Sequence, residues 1–261
     1  MSEALYLFCL CKAGATPVDE SGASPDQPFL RRFENLAAVV KRVSLEEFAG
    51  AAAEQRMQQL EWLGPRVQEH ETVIEGVLRV SPVLPARFGT LFSSEAALER
   101  FLAINLATVE RFFNEVEDKD EWGVKTVLDR AKASERLLSN LSSQLQKTPT
   151  SQGVSYLQER QMRARLDKHL SSWLARTSAE IANKLGSYAV ASKDRPVGFQ
   201  APAGEPQIIG NLALLMPRES LPNLRNAVDQ ASRELAPYGL SFELSGPWPP
   251  YSFCPVLESV P

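Results

Sequence analysis

The sequence contains few of the residues on which metal and acid–base chemistry usually depend. Its 261 residues include only two histidines, His70 and His169, which lie far apart in the chain. His70 precedes Glu71, but the metalloprotease motif needs a second histidine four residues after the first, and isoleucine stands there. We therefore interpret His70 as a polar residue at a helix end and His169 as a solvated residue of a charged helix.

Motifs for phosphate binding and nucleophilic catalysis are also missing. The sequence has no GxxxxGK[ST] loop, no GxGxxG turn and no GxSxG elbow. Its many carboxylates form no pair that the sequence can assign to acid–base work. We predict a protein that is not an enzyme, with no cofactor and no metal.

Long apolar runs and long blocks of one charge are absent. No apolar run approaches the roughly 20 residues that cross a bilayer, and Glu3 stands where a signal peptide carries positive charge. The net charge is −4, which argues against nucleic acid as the main partner. With 44% hydrophobic and 23% charged residues, the composition is that of a soluble globular protein. We expect a cytoplasmic protein with no membrane partner.

Three cysteines, Cys9, Cys11 and Cys254, form no regular framework, which suggests reduced thiols in an intracellular setting. Cys9 and Cys11 share one face of a predicted strand. They could form half of a metal site, but no second Cys or His pair accompanies them, so buried strand cysteines are the favoured interpretation.

The first half of the chain predicts a mixed α+β domain over residues 1–118. Alternating and apolar runs predict strands at 4–11 and 36–43, and one or two more within 73–92. Ser44 and Glu47 have the spacing of a capping box that opens a helical region reaching about residue 71, with possible breaks near Gly50 or at Gly64-Pro65. A long core helix follows a cap at Ser93 or Ser94, and an acidic run, 115–121, marks the domain boundary.

The second half, residues 119–246, has the order strand, helical segment, strand, strand, helix, strand. We predict strands at 122–128, 187–192, 208–216 and 240–244, helices at 130–146, 154–185 and about 221–235, and a polar interruption at 147–153. This order is that of a ferredoxin-like, split βαβ domain, with an antiparallel sheet covered by helices on one face. The first domain is predicted to be a modified version of the same plan.

One charge lies in an unusual place. Arg87 stands in the apolar, proline-flanked stretch Pro85-Ala86-Arg87-Phe88-Gly89, and an unpaired buried arginine would be costly. It forms either a structural salt bridge to an acidic helix residue or an anchor for a partner or an anion. Gly89 is expected to supply a backbone conformation that other residues resist.

The C-terminal tail, 247–261, follows a strand and is rich in proline and aromatic residues. The stretch is Gly246-Pro247-Trp248-Pro249-Pro250-Tyr251-Ser252-Phe253. Because proline fixes φ and has no N–H, we predict an extended, polyproline-like segment with its rings projecting. The rings either pack back on their own domain or dock on another chain, and the two interpretations are compatible.

Two blocks of sequence carry a family resemblance. The C-terminal stretch resembles the C-terminal signature of the gas vesicle GvpL/GvpF family, and segment 83–92 (VLPARFGTLF) resembles that family's PxRFGT segment. Weaker matches at 5–8, 70–74 and 121–125 occur in the right order. Ala86 departs from the larger aliphatic residue expected at its position.

This resemblance implies a minor structural or assembly role in gas vesicles, the shells that give cells buoyancy. It implies contact with the small hydrophobic shell subunit GvpA and with other accessory gas vesicle proteins, and a location at the vesicle. The expected anchors are Pro85, Arg87, Phe88, Gly89, Gly246, Pro247, Trp248, Pro249, Pro250 and Tyr251. An alternative remains a small-molecule-binding or enzymatic protein with tandem ferredoxin-like domains, because the fold hosts many functions.

Overall fold

The chain divides into two compact units. The computed structural model describes residues 3–14, 26–142, 152–198, 202 and 204–259. Unit 1 comprises Met1–Asp118 together with Trp248–Pro261, and unit 2 comprises Lys119–Pro247. In the part of the chain that the structure describes, no helix is both long and apolar enough to span a bilayer.

The described residues of unit 1 form five strands and four α-helices. The strands are β1 (Glu3–Lys12), β2 (Phe29–Phe33), β3 (Leu36–Ser44), β4 (Val83–Pro85) and β5 (Leu91–Phe92), and the helices are α1 (Leu45–Phe48), α2 (Ala51–Met57), α3 (Leu60–Leu78) and α4 (Glu95–Val116). The strand order is β2-β3-β1-β4. β4 pairs with residues 9–11 of β1, and β5 pairs with Leu5 and Tyr6 of the same strand. This is the strand order of a ferredoxin-like sheet, so the strands follow the modified plan predicted from the sequence.

The central strand of unit 1, β1, is buried on both faces. Residues 4–11 are all at most 5% exposed. A register shift between Leu7 and Cys9 lets Tyr6 and Phe8 share one face with Cys9 and Cys11, where α3 contributes Ile74. On the opposite face Leu5 pairs with Phe92, whose ring lies 5.1 Å from that of Phe101 in α4. The sheet of unit 1 therefore has a helix on each face.

Several local predictions for unit 1 were wrong. The predicted capping box does not form, since Ser44 makes no side-chain hydrogen bond at the start of the four-residue helix α1. Helix α3 continues through Pro65 to Leu78 and so extends past the end predicted near residue 71. The strands predicted within 73–92 are present as β4 and β5. Strand β2 was not predicted. The cap of α4 was predicted correctly, because the Ser94 hydroxyl accepts a hydrogen bond from the Ala97 N–H at 3.2 Å.

Unit 2, in the part that the structure describes, has four strands and three α-helices. They are β6 (Lys119–Leu128), α5 (Arg130–Ser142), α6 (Gln152–Gly186), β7 (Ala191–Asp194), β8 (Gln207–Pro217), α7 (Leu221–Leu235) and β9 (Leu240–Trp248). The sheet order is β7-β8-β6-β9, with β8 antiparallel to both β6 and β7. The predicted ferredoxin-like plan is confirmed, although β7 starts four residues later than expected. The predicted interruption at 147–153 lies mostly outside the described residues.

The two faces of the unit 2 sheet carry different residues. Alternate side chains such as Trp122, Val124 and Phe242 form one core with residues of α5, α6 and α7. Glu121 points to the other face, where it has no exposed surface and forms an ion pair with Arg195. The acidic run at 115–121 was predicted only to mark the domain boundary. One of its residues, Glu121, is in fact a buried carboxylate within β6.

Candidate functional site

The predicted anchor residues fall into two groups in the structure. The first, residues 85–90, runs from the last residue of β4 to the start of β5 in unit 1, and we call it the RFG loop. Pro85 is buried opposite Cys9, Arg87 is exposed, and Phe88 and Gly89 are half-buried. Gly89 has φ of +82°, a left-handed conformation that glycine adopts readily, as expected.

The side chain of Arg87 has no ion-pair or hydrogen-bond partner among the described residues, and it is exposed. Its backbone is well held, because its carbonyl oxygen accepts from the Thr90 hydroxyl at 2.7 Å and from the Thr90 N–H at 3.1 Å. The structural salt bridge that the sequence suggested for Arg87 is therefore not formed within this part of the chain. A fixed backbone presents the guanidinium to solvent.

A buried pair of side chains, Tyr6 and His70, holds the RFG loop. The Tyr6 hydroxyl lies 2.8 Å from His70 Nδ1, and His70 Nε2 lies 3.2 Å from the Ala86 carbonyl oxygen. The Gly89 N–H donates to the Tyr6 hydroxyl oxygen at 3.4 Å. With a neutral imidazole protonated at Nε2, all three hydrogen bonds run in one direction. The Gly89 N–H donates to the Tyr6 hydroxyl, the Tyr6 hydroxyl donates to His70 Nδ1, and His70 Nε2–H donates to the Ala86 carbonyl oxygen.

The sequence-based interpretation of His70 was wrong. The residue is 2% exposed in the interior of α3, and it packs at ring distances of 5.6–5.7 Å from Tyr6, Phe8 and Phe88. Burial lowers the pKa of His70, partly opposed by its hydrogen bond to Ala86 and by Glu71. Burial likewise raises the pKa of Tyr6. Both groups are thus held in their neutral forms.

The second group of predicted anchors lies in the C-terminal stretch. Gly246, with φ of +135°, precedes Pro247 near the end of β9, and an added Cβ would lie 3.0 Å from the Glu121 carbonyl oxygen. Trp248 ends the strand, and Tyr251 begins a short 3-10 turn that extends to Phe253. The predicted polyproline-like segment therefore does not include residues 251–253.

Two buried prolines separate two exposed rings in this stretch. Pro249 and Pro250 are buried, whereas Trp248 and Tyr251 are 41% and 38% exposed. The Tyr251 hydroxyl donates to Glu71 Oε1 in α3 at 2.8 Å. Burial and this hydrogen bond raise the pKa of Tyr251. The ring is held in one orientation with part of its surface in solvent.

The end of the chain is fastened by Asn105 of α4, which is 2% exposed. Its Oδ1 accepts from the Glu258 N–H at 2.8 Å, and its Nδ2 donates to the Glu258 carbonyl oxygen at 3.0 Å. Sequence analysis missed Tyr6 and Asn105. An asparagine inside the apolar stripe of α4 was the available signal, since a buried amide needs hydrogen-bond partners.

Beside the RFG loop, unit 1 has a cavity of about 440 Å³. Four aromatic residues line it, namely Tyr6, Phe8, Phe48 and Phe88. Charged residues also line it, including Lys41, which pairs with Glu69 at 2.7 Å, and Arg66, which pairs with Glu47. We call this space the aromatic cavity.

The cysteines are free thiols, and Cys9 and Cys11 are buried as predicted. Burial raises the pKa of Cys11 to about 12, and burial together with the neighbouring Cys11 raises that of Cys9 well above its usual range. Both side chains are therefore protonated thiols, which are weak nucleophiles and weak metal ligands. Within the described residues, no group of three or more His, Cys, Asp and Glu side chains is placed to hold a metal ion.

Comparison with known proteins identifies the family. Residues 4–255 match the family model described as gas vesicle synthesis protein GvpL/GvpF. The chain belongs to this family. Gas vesicle protein L of Streptomyces sp. (strain CB03234) is 26% identical over 259 residues, which cover 97% of this chain and 93% of that protein. Membership of the GvpL/GvpF family gives the chain a gas vesicle-related role.

Two crystal structures share the fold of this GvpL/GvpF family member. Gas vesicle protein GvpF from Anabaena sp. PCC7120 matches with a TM-score of 0.66 at 16% identity over 99% of both chains. GvpF from Microcystis aeruginosa matches with a TM-score of 0.62 at 15% identity, over 97% of this chain and 99% of that one. The predicted α+β fold with two antiparallel sheets is confirmed.

Proposed function

We propose that this protein is a non-catalytic, cytoplasmic assembly adaptor that associates with the gas vesicle and binds the hydrophobic shell subunit GvpA and other accessory gas vesicle proteins during vesicle formation. The observation that carries the proposal is the pair of exposed rings, Trp248 and Tyr251, set on either side of two buried prolines. Large rings held in place lose little conformational entropy on binding, and aromatic residues with Arg are the usual anchors of protein interfaces.

The exposed guanidinium of Arg87 supports the same role. It carries a positive charge without an ion-pair partner among the described residues, on a loop whose backbone is fixed by Thr90, Tyr6 and His70. A preorganised arginine can form bidentate hydrogen bonds to a carboxylate or a carbonyl of a partner at small entropic cost. In this proposal the RFG loop and the C-terminal stretch are docking elements, and neither has a catalytic role.

Binding of purified GvpA tests the adaptor function. Replacing Trp248→Ala and Tyr251→Ala together should weaken GvpA binding by about thirtyfold or more, because a single hot-spot aromatic contributes about 2 kcal/mol or more and such contributions are not additive. Tyr251→Phe removes the hydrogen bond to Glu71 but keeps the ring, so most of the affinity should remain.

The control for this experiment is Val190→Ala, which truncates a side chain that is 57% exposed in unit 2. It should leave GvpA binding unchanged. Melting curves establish that each variant is folded. Normal GvpA binding by the folded double variant would refute docking through the C-terminal stretch.

The aromatic cavity favours a second candidate function, a small-molecule-binding protein. Its volume, about 440 Å³, lies within the usual range for ligand sites, and polar groups converge on it. However, Lys41 and Arg66 are already paired with carboxylates of the same rim, so little unsatisfied charge remains for a small polar ligand.

A further inference from the structure

Helix α3 presents an apolar ridge to solvent. Leu60, Gly64, Val67 and Glu71 follow one another at spacings of four, three and four residues, so they lie on one side of the helix. We call these four residues the α3 ridge. Leu60 is 82% exposed and Val67 is 37% exposed. Large apolar side chains that are aligned on one ridge, rather than scattered over a surface, indicate a contact with another molecule.

Gly64, in the middle of this ridge, is a glycine that the fold of unit 1 does not require. It is exposed, and an added Cβ would meet no described atom within 4 Å. A glycine inside a helix lowers stability relative to alanine, so its presence needs a reason outside the helix itself. The missing side chain leaves a gap between Leu60 and Val67, where a side chain of another molecule can approach the backbone.

Helix α4 carries a ridge of the same spacing on the opposite face of the unit 1 sheet. It consists of Arg100, Ile104, Ala107 and Arg111, which are all exposed, Ile104 by 51%. We call these four residues the α4 ridge. Among the described residues, neither arginine has a hydrogen-bond or ion-pair partner. Because α3 and α4 cover opposite faces of one sheet, the two ridges point away from each other.

The charges of the two ridges are opposite and similarly spaced. Glu71 lies on the α3 ridge and Glu61 lies beside it, about 15 Å apart along the helix axis. Arg100 and Arg111 are about 16 Å apart along α4. Two arginine–carboxylate pairs can therefore form at once when the helices align. A contact between two α3 ridges or between two α4 ridges would instead bring like charges together.

The other charges of these helices are either already paired or lie to the side of the ridges. Arg66 of α3 pairs with Glu47, and its guanidinium lies 4.2 Å from the centre of the Trp62 ring. Glu99 and Glu115 of α4 lie on the two flanks of the α4 ridge, not on it. The α3 ridge therefore presents negative charge, and the α4 ridge presents its two arginines.

We propose that copies of this chain associate head to tail, with the α4 ridge of one molecule packed on the α3 ridge of the next. In this contact Ile104 fills the gap over Gly64, and the two ridge arginines pair with carboxylates of α3. Each molecule keeps one ridge free, because the ridges lie on opposite faces of unit 1. The contact can therefore repeat and produce assemblies larger than a dimer. This inference goes beyond the adaptor function and does not require GvpA.

Sedimentation velocity of the purified full chain is the first test. The average mass should rise between about 10 µM and about 1 mM protein and exceed that of a dimer, because a contact between single helices is small and weak. Raising the salt concentration from about 0.1 M to about 1 M should weaken the association, since the charged pairs are exposed. A wild-type chain that stays monomeric over this range overturns the inference.

Two variants distinguish this contact from a symmetric one. Ile104→Asp places an acid opposite the carboxylates of α3, and Leu60→Lys places a cation opposite the arginines of α4. Both replaced side chains are exposed, so both variants should fold, and melting curves check this. Each variant alone should associate about tenfold or more weakly. If either variant alone associates as strongly as the wild-type protein, the head-to-tail contact is wrong.

An equimolar mixture of these two variants should form dimers and nothing larger. Only the intact α3 ridge of the Ile104→Asp variant and the intact α4 ridge of the Leu60→Lys variant fit together. The matched control is Val80→Asp, which adds a charge at a valine that is 50% exposed and lies on neither ridge. This control should associate within about twofold of the wild-type protein. A mixture that stays monomeric, or an equal loss of association in the control, contradicts the proposal.

Gly64→Ala separates association from folding. Alanine favours the helix, so the urea midpoint of unfolding should rise, whereas the added methyl group narrows the gap and should weaken association by about threefold or more. Unchanged association in this variant would refute the packing of Ile104 over Gly64. If the wild-type chain is monomeric and Leu60→Lys weakens GvpA binding, the α3 ridge belongs to the GvpA contact. In that case head-to-tail association fails and the adaptor function stands.

Discussion

At His70, one buried imidazole connects α3, β1 and the RFG loop. Its contacts with Tyr6 and Ala86 join positions that lie 64 and 16 residues away in the chain. Protonation would turn Nδ1 from an acceptor into a donor, so the Tyr6 hydroxyl could no longer donate to it. The geometry therefore depends on a neutral side chain, in agreement with the lowered pKa.

This dependence predicts a pH effect on stability. Unfolded histidine has a pKa of about 6.5, and the folded-state pKa of His70 is lower. The stabilisation is fully present above about pH 6.5 and is lost as the pH falls toward the folded-state pKa, because the unfolded chain then binds a proton that the folded chain resists. Through this one group, the free energy of unfolding changes by at most about 1.4 kcal/mol per pH unit.

Urea unfolding of the wild-type protein and a His70→Gln variant, from about pH 5 to about pH 8, measures this effect. The difference in free energy of unfolding between the two proteins should be largest at the alkaline end and shrink on acidification. Other titrating groups cancel in the difference. A difference that stays constant across this range would show that His70 does not titrate during unfolding.

At the scale of elements, the end of α7 depends on one glycine. Gly239 follows the short 3-10 turn after α7 and has φ of +74°. A Cβ at this position would lie 2.4 Å from the Asp129 carbonyl oxygen, and the Gly239 carbonyl oxygen accepts from the Asp129 N–H at 2.7 Å. The helix, the start of β9 and the end of β6 therefore meet at a residue that cannot carry a side chain.

Gly239→Ala should destabilise the protein by about 1–3 kcal/mol or more, through the left-handed backbone and the clash with main-chain atoms. The matched control is Gly76→Ala in α3, where an added Cβ meets no atom within 4 Å. This control should increase stability by about 0.5–1 kcal/mol, because alanine favours a helix interior. Urea unfolding curves measure both changes, and equal effects at the two sites would contradict the packing described here.

At the scale of the whole molecule, the chain returns to unit 1 at its C-terminal end. The hydrogen bonds of Tyr251 and Glu258 reach Glu71 and Asn105, which lie 180 and 153 residues earlier in the chain. Unit 1 is therefore built from two separate parts of the sequence. The predicted boundaries, 1–118, 119–246 and 247–261, treat the tail as a separate segment, whereas contacts within the structure assign Trp248–Pro261 to unit 1.

Deleting residues 249–261, which leaves β9 complete, should loosen unit 1 selectively. Backbone amides of α3 near Glu71 and of α4 near Asn105 should exchange hydrogen faster, because both side chains lose their partners. Amides of β6 and β8 should be unchanged. In the full-length chain, Asn105→Ala should reproduce the effect in α4, and Asn114→Ala, at an exposed position of the same helix, should not. Faster exchange throughout unit 2 would refute this view of the tail.

Local sequence patterns determined much of the fold because they reflect short-range physics. The spacing of Leu98, Leu102 and Val109 predicted α4, and the order of strands and helices predicted the ferredoxin-like plan of unit 2. The two motifs in segments 83–92 and 246–253 pointed to the family that residues 4–255 match. Sequence patterns did not predict strands whose formation depends on pairing with a neighbour. Segment β2 is an example, because it is a strand through its pairing with β3.

Only the tertiary structure decided the chemistry of the candidate sites. The sequence singled out Arg87, Trp248 and Tyr251, but their exposure depends on which neighbours fold against them. It did not indicate that Tyr6 and His70 fasten the RFG loop or that Asn105 fastens the C-terminal end, because those partners lie far away in the chain. Helical and strand periodicities report which face of an element is buried, whereas the identity of the group that covers it is set by chain topology and packing.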